Sequence, residues 1–496
     1  MIATVMKRDL NWMQLLALNS YALGLSTAAG IFTPILLPYL VVAFMPPDQK
    51  NTYLAAARVI GLAAAMLVQP LAGLFSDRCT ARLGRRRPFI TFGALGSALT
   101  ILLIGFSTKL APAAGGADLP PVFGVTAAYA LLVGGSVLLH FFSNIAQGAQ
   151  QGLIPDIVPL HQHGRAAGVK ASLELLAIFL VLLAGPLIDR GRIFTVVGII
   201  MAGYLVTMII TNLGVKEVPL TEKPAGSLRG PILRAVALTA IFVSITQAAI
   251  WLVNFSGSSL TGMGASQAVK IALVGLAGLA GMAGSILVGV YLGARVGIGP
   301  GVSHPSFVWW IVNRLLFLAA VGSIQGFIQY YLRDVIQAPN PAAATSRLLA
   351  VVGFCLIPSA LISGALSDRF GRKRIAAAAG WLAAAGALLL LFARDLWLLN
   401  LSGAILGLGT GAFMATNWAL GTSLVPTGEA GRYLGISNLA GAGAGIVGAG
   451  IGGPLADFFN LIEPGLGYLV IFSIYTVLIL LSVAVLRQIK ATTDLP

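Results

Sequence analysis

The chain alternates long apolar runs with short polar connections. Since about 20 apolar residues suffice to cross a bilayer as a helix, the first runs predict six spans, at about 14–44, 53–75, 88–107, 123–153, 166–189 and 193–214. A polar segment at 216–230 is followed by two runs, at about 232–255 and 267–294. Six more follow, at about 306–336, 343–366, 375–393, 396–424, 433–456 and 465–487. The pattern predicts an all-α polytopic membrane protein with about 14 transmembrane helices.

Composition supports this class and excludes a soluble domain. Hydrophobic residues make up 57% of the chain and charged residues only 9%, whereas about 25% is usual for charged residues in soluble proteins. The net charge of +15 would suit a nucleic-acid partner, but the basic residues form short clusters between apolar runs, as loop orientation requires. We therefore expect the lipid bilayer, and no nucleic acid, as a partner.

Motifs for enzymatic chemistry are missing from the sequence. We find no Walker-type phosphate loop, no nucleophile elbow and no metal-ligand spacing among the four histidines and two cysteines. We expect no cofactor, no metal, no enzymatic activity and no ATP-driven pumping, which leaves ion or solute gradients as an energy source.

The basic residues also predict orientation. If the N-terminus is cytoplasmic, both arginine-rich connections, at 73–90 and 364–375, lie inside. The outer connections then keep few basic residues: Lys50, Lys109, Arg190, Arg192, Arg333 and Arg394. The positive-inside rule places both termini in the cytoplasm, and we expect the plasma membrane, in a bacterium the inner membrane.

An internal repeat relates the two sets of six spans. The hairpin GLFSDRCTARLGRRRPFI at 73–90 returns in shorter form as GALSDRFGRKRI at 364–375. The series VP, GRAAGV and GPLID at 158–189 returns as VP, GRYLGI and GPLAD at 425–457. Parallel repeats are typical of transporters. They predict an N-terminal six-helix bundle (1–215), a central loop with an inserted helix pair (216–302) and a C-terminal six-helix bundle (303–496).

The two hairpins resemble the signature loop of the major facilitator superfamily, and this resemblance covers the chain apart from roughly 216–300. The longer first hairpin, with NIAQGAQQGLIPDIVP at 144–159, resembles the plant sucrose transporters and the wider glycoside–cation symporters. The resemblance implies two six-helix bundles around a central cavity. It also implies a monomeric secondary active transporter that moves a small polar solute, a sugar or glycoside, by alternating access, with proton coupling left open.

The fourth span departs from the sucrose-transporter pattern. As we align them, the plant proteins carry an acidic residue at His140 and an arginine at Gln151, a pair implicated in coupling and substrate binding, and a proline at Ala149. Other positions of the span match: Asn144, Gln147, Gly148 and Asp156. The chain has either lost proton coupling, moved it to Glu174, or changed substrate.

Two other functions of the same fold remain open. Exporters of amphiphilic compounds in this superfamily include 14-span members with a central helix pair, although the SDRC…GRRRPFI loop argues against that function. A pigment-delivery assembly factor, resembling the bacteriochlorophyll branch, shares the fold and a similar basic loop. The neighbouring genes would separate these alternatives.

The hairpins are candidates for a cytoplasmic gate. A carboxylate at the membrane surface is stabilised by a helix N-terminus and a nearby arginine, so we expect Asp77 to meet the helix start at Arg432, and Asp368 the one at Arg165. Alternatively the arginines only set topology, which is our interpretation of Arg86 and Arg87. The predicted gate set is Gly73, Asp77, Arg78, Gly84, Arg85, Arg165, Gly364, Asp368, Arg369, Gly371, Arg372 and Arg432, with Gly73 and Gly364 allowing close helix approach.

Uncharged polar and aromatic residues within the spans suit hydroxyl-rich ligands, because amides both donate and accept hydrogen bonds and aromatic faces stack on sugar rings. Each alone could equally be a bond between helices. As a set on spans that line the cavity in this superfamily, they predict a binding site: Asn19, Tyr21, Asn144, Gln147, Gln151, Gln325, Gln329, Tyr330, Asn417 and Trp418.

Ionisable residues within spans are costly and mark function or pairing. Glu174 lies near the middle of its span and either couples transport to a proton or cation or pairs with Lys170. His140 either couples transport or is a neutral, hydrogen-bonded side chain. Arg314 either binds a polar or anionic substrate or extends its charge to the membrane surface. The last behaviour is expected of three others: Lys270, Arg58 and Arg347.

Overall fold

The computed structural model describes residues 9–110, 125–217, 219–220, 227–298, 305–425 and 430–490, with the backbone alone at 160 and 430–440. These ranges form helices joined by short connections and contain no β-strand. The first helices are α1 (Trp12–Ile31), a π-helical segment (Phe32–Leu36), α2 (Leu37–Phe44), α3 (Lys50–Ser76), α4 (Arg87–Phe106), α5 (Ala127–Ile157), α6 (His163–Asp189) and α7 (Ile193–Gly214). The others are α8 (Arg229–Gly262), α9 (Gln267–Ile298), α10 (Pro305–Asp334), α11 (Pro341–Phe370), α12 (Arg372–Phe392), α13 (Leu396–Ser423), α14 (Ala430–Ile462) and α15 (Leu466–Val485).

The predicted number of spans is confirmed. Within the described residues, 14 helical segments are long and apolar enough to cross a membrane. The first of them, Trp12–Phe44, combines α1, the π-helical segment and α2. The protein is therefore an integral membrane protein.

The π-helical segment has a local cause. Pro34 lies within it, and proline has no backbone N–H for the helical ladder and clashes with the preceding turn. Widening the turn accommodates the ring without ending the span.

The chain divides into two compact units. The first comprises Met1–Thr33 and Ala64–Ala235, and the second comprises Pro34–Ala63 and Val236–Pro496. The first span changes unit inside the π-helical segment, and α3 changes unit near its middle. The three-part division drawn from the sequence (1–215, 216–302 and 303–496) stays a prediction.

Small residues let helices within each unit approach closely. In the first unit, a Cβ placed on Gly93 of α4 would lie 2.5 Å from the carbonyl oxygen of Phe142 on α5. In the second unit, a Cβ on Gly407 of α13 would lie 2.6 Å from the carbonyl oxygen of Val352 on α11. Such contacts replace the hydrophobic driving force that helices lack in lipid.

The two hairpins share one backbone feature and differ in length. Gly84 and Gly371, each followed by an arginine, have φ angles of 100° and 90°, a region that favours glycine. Residues 77–86 separate α3 from α4, whereas Gly371 alone separates α11 from α12. The connection of the first hairpin is therefore much longer than that of the second.

Candidate functional site

Charged residues converge in the first unit where α3 ends, α4 begins and α5 ends. We call this group the Arg86 cluster: Ser76, Asp77, Arg85, Arg86, Asp156 and Glu217. Four of its members were named from the sequence, and the structure brings them together: Asp77, Arg85, Arg86 and Asp156.

Arg86 is the centre of this cluster. Its side chain is only 7% exposed and forms ion pairs with Asp77 and Asp156, the latter with 2.9 Å between Nε and Oδ2. Gly152 of α5 leaves the space for its guanidinium, because a Cβ there would overlap it. The interpretation that Arg86 serves topology alone is wrong: a buried guanidinium held by two carboxylates contributes to packing and electrostatics inside the unit.

Arg85 adds a second cation to the same carboxylate. Its Nε donates to Asp156 Oδ2 at 3.1 Å. Asp156 is therefore shared between two arginines, which balances part of the charge that the hairpin brings into this region. Asp156, at the end of α5, is thus an ion-pair partner of the basic hairpin.

Glu217, in the connection after α7, was missed in the sequence. Its carboxylate oxygens accept the backbone N–H groups of Arg86, at 3.0 and 3.1 Å, and of Arg87, at 3.0 Å. These groups lie at the start of α4, where backbone N–H groups lack helical partners and a negative charge is favoured. Burial nevertheless raises the pKa of Glu217 above its usual range, outweighing these hydrogen bonds. No spacing in the sequence links this residue to α4.

The remaining gate candidates of the first unit have fewer contacts. Within that unit, no described atom outside its own helix lies within 4 Å of a Cβ placed at Gly73, and the close helix approach expected at this glycine stays a prediction. The backbone nitrogen of Gly73 would lie 3.3 Å from a Cβ placed on Gly148 of α5. Arg78 is half-buried. Arg165 is exposed and lines a cavity of about 370 Å³ with Asp9 and Gln162.

The second hairpin contains fewer basic residues than the first and, among the described residues, fewer ion pairs. Asp368 and Arg369 are exposed at the end of α11, and Asp368 has no ion pair among the described residues. Arg372 Nη1 donates to the carbonyl of Ala419 at 3.0 Å. Within the second unit, a Cβ at Gly364 would also meet no described atom within 4 Å, and the close approach expected there stays a prediction as well.

A cavity of about 1240 Å³ lies beside this hairpin. Its lining combines five cationic side chains with one carboxylate and an apolar wall on α12 and α15: Asp368, Arg369, Arg372, Lys373, Arg374, Trp381, Leu480, Val483 and Arg487 among them. The side chain of Arg432 lies outside the described residues. The pairing of the hairpins with the helix starts at Arg165 and Arg432 stays a prediction.

A second polar group, the Asp457 cluster, lies at the opposite end of α3, within the second unit. Its members are Lys50, Asn51, Thr52, Asp334, Asp457 and Tyr468. Asp457 Oδ1 accepts the Asn51 backbone N–H at 3.2 Å and side chain at 2.8 Å, and Oδ2 accepts the Thr52 N–H at 2.7 Å. A carboxylate thus caps the first turn of α3 from α14. Asp457 ends the repeated GPL-x-D motif, which was the available sequence signal.

Asp334, at the end of α10, binds Lys50, which lies next to Asn51 in the first turn of α3. Its Oδ2 accepts from Lys50 Nζ and from the Tyr468 hydroxyl, both at 2.5 Å. Further along α3, Arg58 is buried and its Nη2 donates to the carbonyl of Gly322 at 3.1 Å. The expectation that Arg58 reaches the membrane surface is wrong, because its guanidinium bonds inside the unit instead. Arg347 is exposed and Lys270 half-buried.

The substrate candidates of the first unit differ in accessibility. Asn19 and Tyr21 are buried in α1; Asn19 donates to the carbonyl of Leu15 at 3.0 Å, and the Tyr21 hydroxyl has no described partner. Asn144 donates one turn back along α5, to the carbonyl of His140, at 2.7 Å. Two more candidates on α5 are more accessible: Gln147 is half-buried and Gln151 is exposed.

On α10, three candidates lie close together in sequence but in different surroundings. Gln325 is exposed. Gln329, in the orientation that satisfies its amide, donates to the carbonyls of Pro34 and Ile35 at 2.9 Å. The Tyr330 hydroxyl donates to the carbonyl of Pro38 at 3.0 Å. The polar groups of Gln329 and Tyr330 thus join helices of the second unit, and a role for them in binding stays a prediction.

The last two candidates, Asn417 and Trp418, belong to a compact group that we call the Arg314 cluster: Trp310, Asn313, Arg314, Asn417 and Trp418. Arg314 is 9% exposed, and its Nη1 donates to Asn417 Oδ1 at 3.3 Å. Its guanidinium carbon lies 5.1 Å from the centre of the Trp418 ring. Trp418 itself is 37% exposed. Arg314 is held inside the unit and does not extend to the membrane surface.

The coupling candidates are both partnered. Glu174 and Lys170 form an i, i+4 ion pair at 3.5 Å on α6, and both are partly exposed. His140 Nδ1 lies 2.8 Å from the carbonyl of Ser136, and its ring packs edge-on against Phe32 at 6.4 Å. The coupling roles of Glu174 and His140 stay predictions.

Comparison with protein families gives one match across the chain. The model described as Major Facilitator Superfamily matches residues 18–325 and 311–494. Among solved structures, a D-xylose-proton symporter aligns over 97% of this chain and 98% of its own, with a TM-score of 0.59 and 15% identity. A variant of the nucleoside transporter NupG aligns over 96% and 100%, with a TM-score of 0.63 and 12% identity. The fold predicted from the sequence is confirmed.

Similar curated proteins are plant sucrose transport proteins. SUT3 of Oryza sativa subsp. indica is 33% identical over 144 residues, which is 28% of this chain and 27% of SUT3. SUT1 of Oryza sativa subsp. japonica is 38% identical over 115 residues, 23% of this chain and 21% of SUT1. The chain thus matches about a quarter of the length of these relatives.

Proposed function

Because this chain belongs to the Major Facilitator Superfamily, a family of transporters, we propose that it is a secondary active carrier that moves a sugar or glycoside across the membrane by alternating access. The observation that carries this proposal is the similarity to sucrose transport proteins, 33% identity over 144 residues in the example of SUT3. The proposal includes a monomer in the plasma or bacterial inner membrane, with both termini cytoplasmic.

The chemistry of the second unit supports a polar solute. The Arg314 cluster combines amide side chains with a partly exposed tryptophan, and sugars are recognised through hydroxyl hydrogen bonds and ring stacking. We assign Trp418 to contact with the solute, and Asn417 to the support of Arg314 beside it.

Proton coupling is proposed through Glu174. Its carboxylate is paired to Lys170 on its own helix, and protonation of the carboxylate would release the lysine. A Glu174→Gln variant should then lose accumulation driven by a proton gradient while keeping equilibrative exchange. Retained gradient-driven accumulation would remove Glu174 from coupling.

The function is tested by uptake of a panel of labelled sugars and glycosides into proteoliposomes that contain the purified chain, with and without an imposed proton gradient. We expect saturable uptake of at least one member above protein-free liposomes. Uptake of none, and competition by none, refutes the proposal.

A further inference from the structure

Arg314 is a buried cation without a carboxylate partner in the described part of the chain. The described ion pairs do not include it, and its guanidinium makes one described hydrogen bond, from Nη1 to Asn417 Oδ1 at 3.3 Å. The Nε atom is buried and has no partner. Buried charges in proteins are normally paired, and a guanidinium carries five N–H donors and stays charged. Arg314 therefore carries a positive charge that no described carboxylate balances, and N–H donors that no described hydrogen bond uses.

The surroundings hold this guanidinium in one orientation. The Asn417 amide nitrogen donates to Asn313 Oδ1 at 2.6 Å, which turns the Asn417 oxygen toward Arg314. Asn313 in turn donates to the carbonyl of Ser482 at 2.7 Å, and Trp310 Nε1 donates to the backbone carbonyl of Asn417 at 2.8 Å. A chain of satisfied amides from α10, α13 and α15 thus fixes Nη1. Such preorganisation is what a binding group requires.

The unused edge of the guanidinium has a defined shape. With Nη1 directed to Asn417, no described hydrogen bond occupies Nε or Nη2 of Arg314. These two atoms present parallel N–H groups, the arrangement that binds the two oxygens of a carboxylate.

Two indole rings lie against the guanidinium of Arg314. The guanidinium carbon of Arg314 lies 5.1 Å from the ring centre of Trp418 and 5.9 Å from that of Trp310. Cation–π contact stabilises the charge without neutralising it. Trp310 is fully buried, whereas Trp418 is 37% exposed, so the exposed side of the cluster is the one that Trp418 forms.

We infer that the Arg314 cluster binds a carboxylate of the transported solute, so that the substrate is an acidic sugar, such as a uronic acid or its glycoside. This inference rests on the proposed function as a sugar carrier and specifies its substrate class. The carboxylate pairs with the Nε–Nη2 edge of Arg314, while the apolar face of the sugar ring lies against Trp418.

The test uses matched neutral and acidic sugars with the full chain in proteoliposomes. Glucuronate is compared with glucose, and galacturonate with galactose, as competitors and as labelled solutes. One charge-assisted interaction of about 1.5–3 kcal/mol corresponds to about 10- to 100-fold in affinity. We expect each acid to bind at least about 10-fold more tightly than its neutral partner.

Variants then assign the preference to Arg314. Arg314→Gln should abolish the preference for the acid, and Arg314→Lys, which keeps the charge but not the two-pronged edge, should retain part of it. Arg347→Gln, which removes an exposed arginine on the neighbouring α11, should keep the wild-type preference. If Arg314→Gln does not fold, as judged by gel filtration, Arg314→Lys decides the assignment, because a preference equal to that of the wild type would overturn it.

The outcomes separate the two proposals. Uptake of neutral sugars with no preference for the acids overturns the inference and leaves the sugar-carrier function in place. A preference that persists in Arg314→Gln overturns the assignment to this cluster. Failure of both neutral and acidic sugars to be taken up or to compete refutes the proposed function, and the inference with it.

Discussion

Replacing Arg86 with methionine tests whether the Arg86 cluster stabilises the fold. The change keeps most of the side-chain volume but leaves Asp77 and Asp156 without their shared cation. Removing one partner of a buried ion pair costs about 3–5 kcal/mol. Asp77 is 49% exposed and can be solvated again, whereas Asp156 is 17% exposed and keeps only Arg85. We therefore expect a loss near the lower end, about 3 kcal/mol in the free energy of unfolding.

A double-mutant cycle makes this estimate specific to the pair. The free energy of unfolding is measured in mixed micelles by tryptophan fluorescence for the wild type, Arg86→Met, Asp156→Asn and the double variant. Because the second change removes the stranded carboxylate, the double variant should lose less than the sum of the single losses, with a coupling of about 0.5–3 kcal/mol. The control is Arg82→Met, in the same hairpin, where the arginine is exposed, with an expected change within about 0.5 kcal/mol. Equal losses in Arg86→Met and Arg82→Met, or additive losses in the cycle, would refute the reasoning.

Three further predictions concern stability in the same micelles. Asp457→Ala should lower the free energy of unfolding by about 1–2 kcal/mol, because Asp457 is buried and caps α3. Asp395→Ala should lower it less, because Asp395 caps α13 through one exposed hydrogen bond. Equal losses in the two variants would contradict this prediction. Gly411→Ala should be strongly destabilising because a Cβ there overlaps the backbone carbonyl of Leu356, which cannot move aside as a side chain can. Gly322→Ala, where a Cβ meets nothing within 4 Å, serves as control; similar unfolding of both would disprove the overlap. The pKa of Glu217 is raised in the folded state, so the folded protein holds this proton more tightly than the unfolded chain. The stability that this proton contributes is present below the usual pKa and is lost as pH rises through the raised pKa. Glu217→Gln should therefore flatten the pH dependence of unfolding above about pH 4.3, and an unchanged slope would exclude this role.

The spans were predictable because crossing a bilayer demands a long apolar run whatever the tertiary contacts. Their ends were less so. The polar sequence after residue 255 suggested a loop, yet α8 continues to Gly262. Its hydroxyls explain the difference: Ser256 and Thr261 each donate to the carbonyl four residues earlier, at 2.7 and 2.8 Å. Side chains that bond back to their own helix lower the cost of polar residues in it.

The charged residues were harder to interpret, since the cost of a buried charge depends on partners distant in sequence. The SDR motif located Asp77, but the burial of Arg86 depends on Asp156, 70 residues later. The sequence suggested that Arg58 lies at a membrane surface, whereas in the structure it donates to the carbonyl of Gly322 on α10. The repeated GPL-x-D motif marked Asp457 without showing that it caps α3. Sequence patterns find such residues, and only the fold assigns their partners.

The start of α3 also has a consequence for biosynthesis. The described side-chain partners of Lys50, Asn51 and Arg58 all lie beyond residue 320, and Asn51 is separated from Asp457 by 406 positions. At a synthesis rate of about 5–20 residues per second, Asp457 emerges roughly 20–80 s after Asn51. During that interval the second span is inserted with polar groups that have no permanent partners. The start of α3 therefore completes its polar contacts only after the last spans have been made.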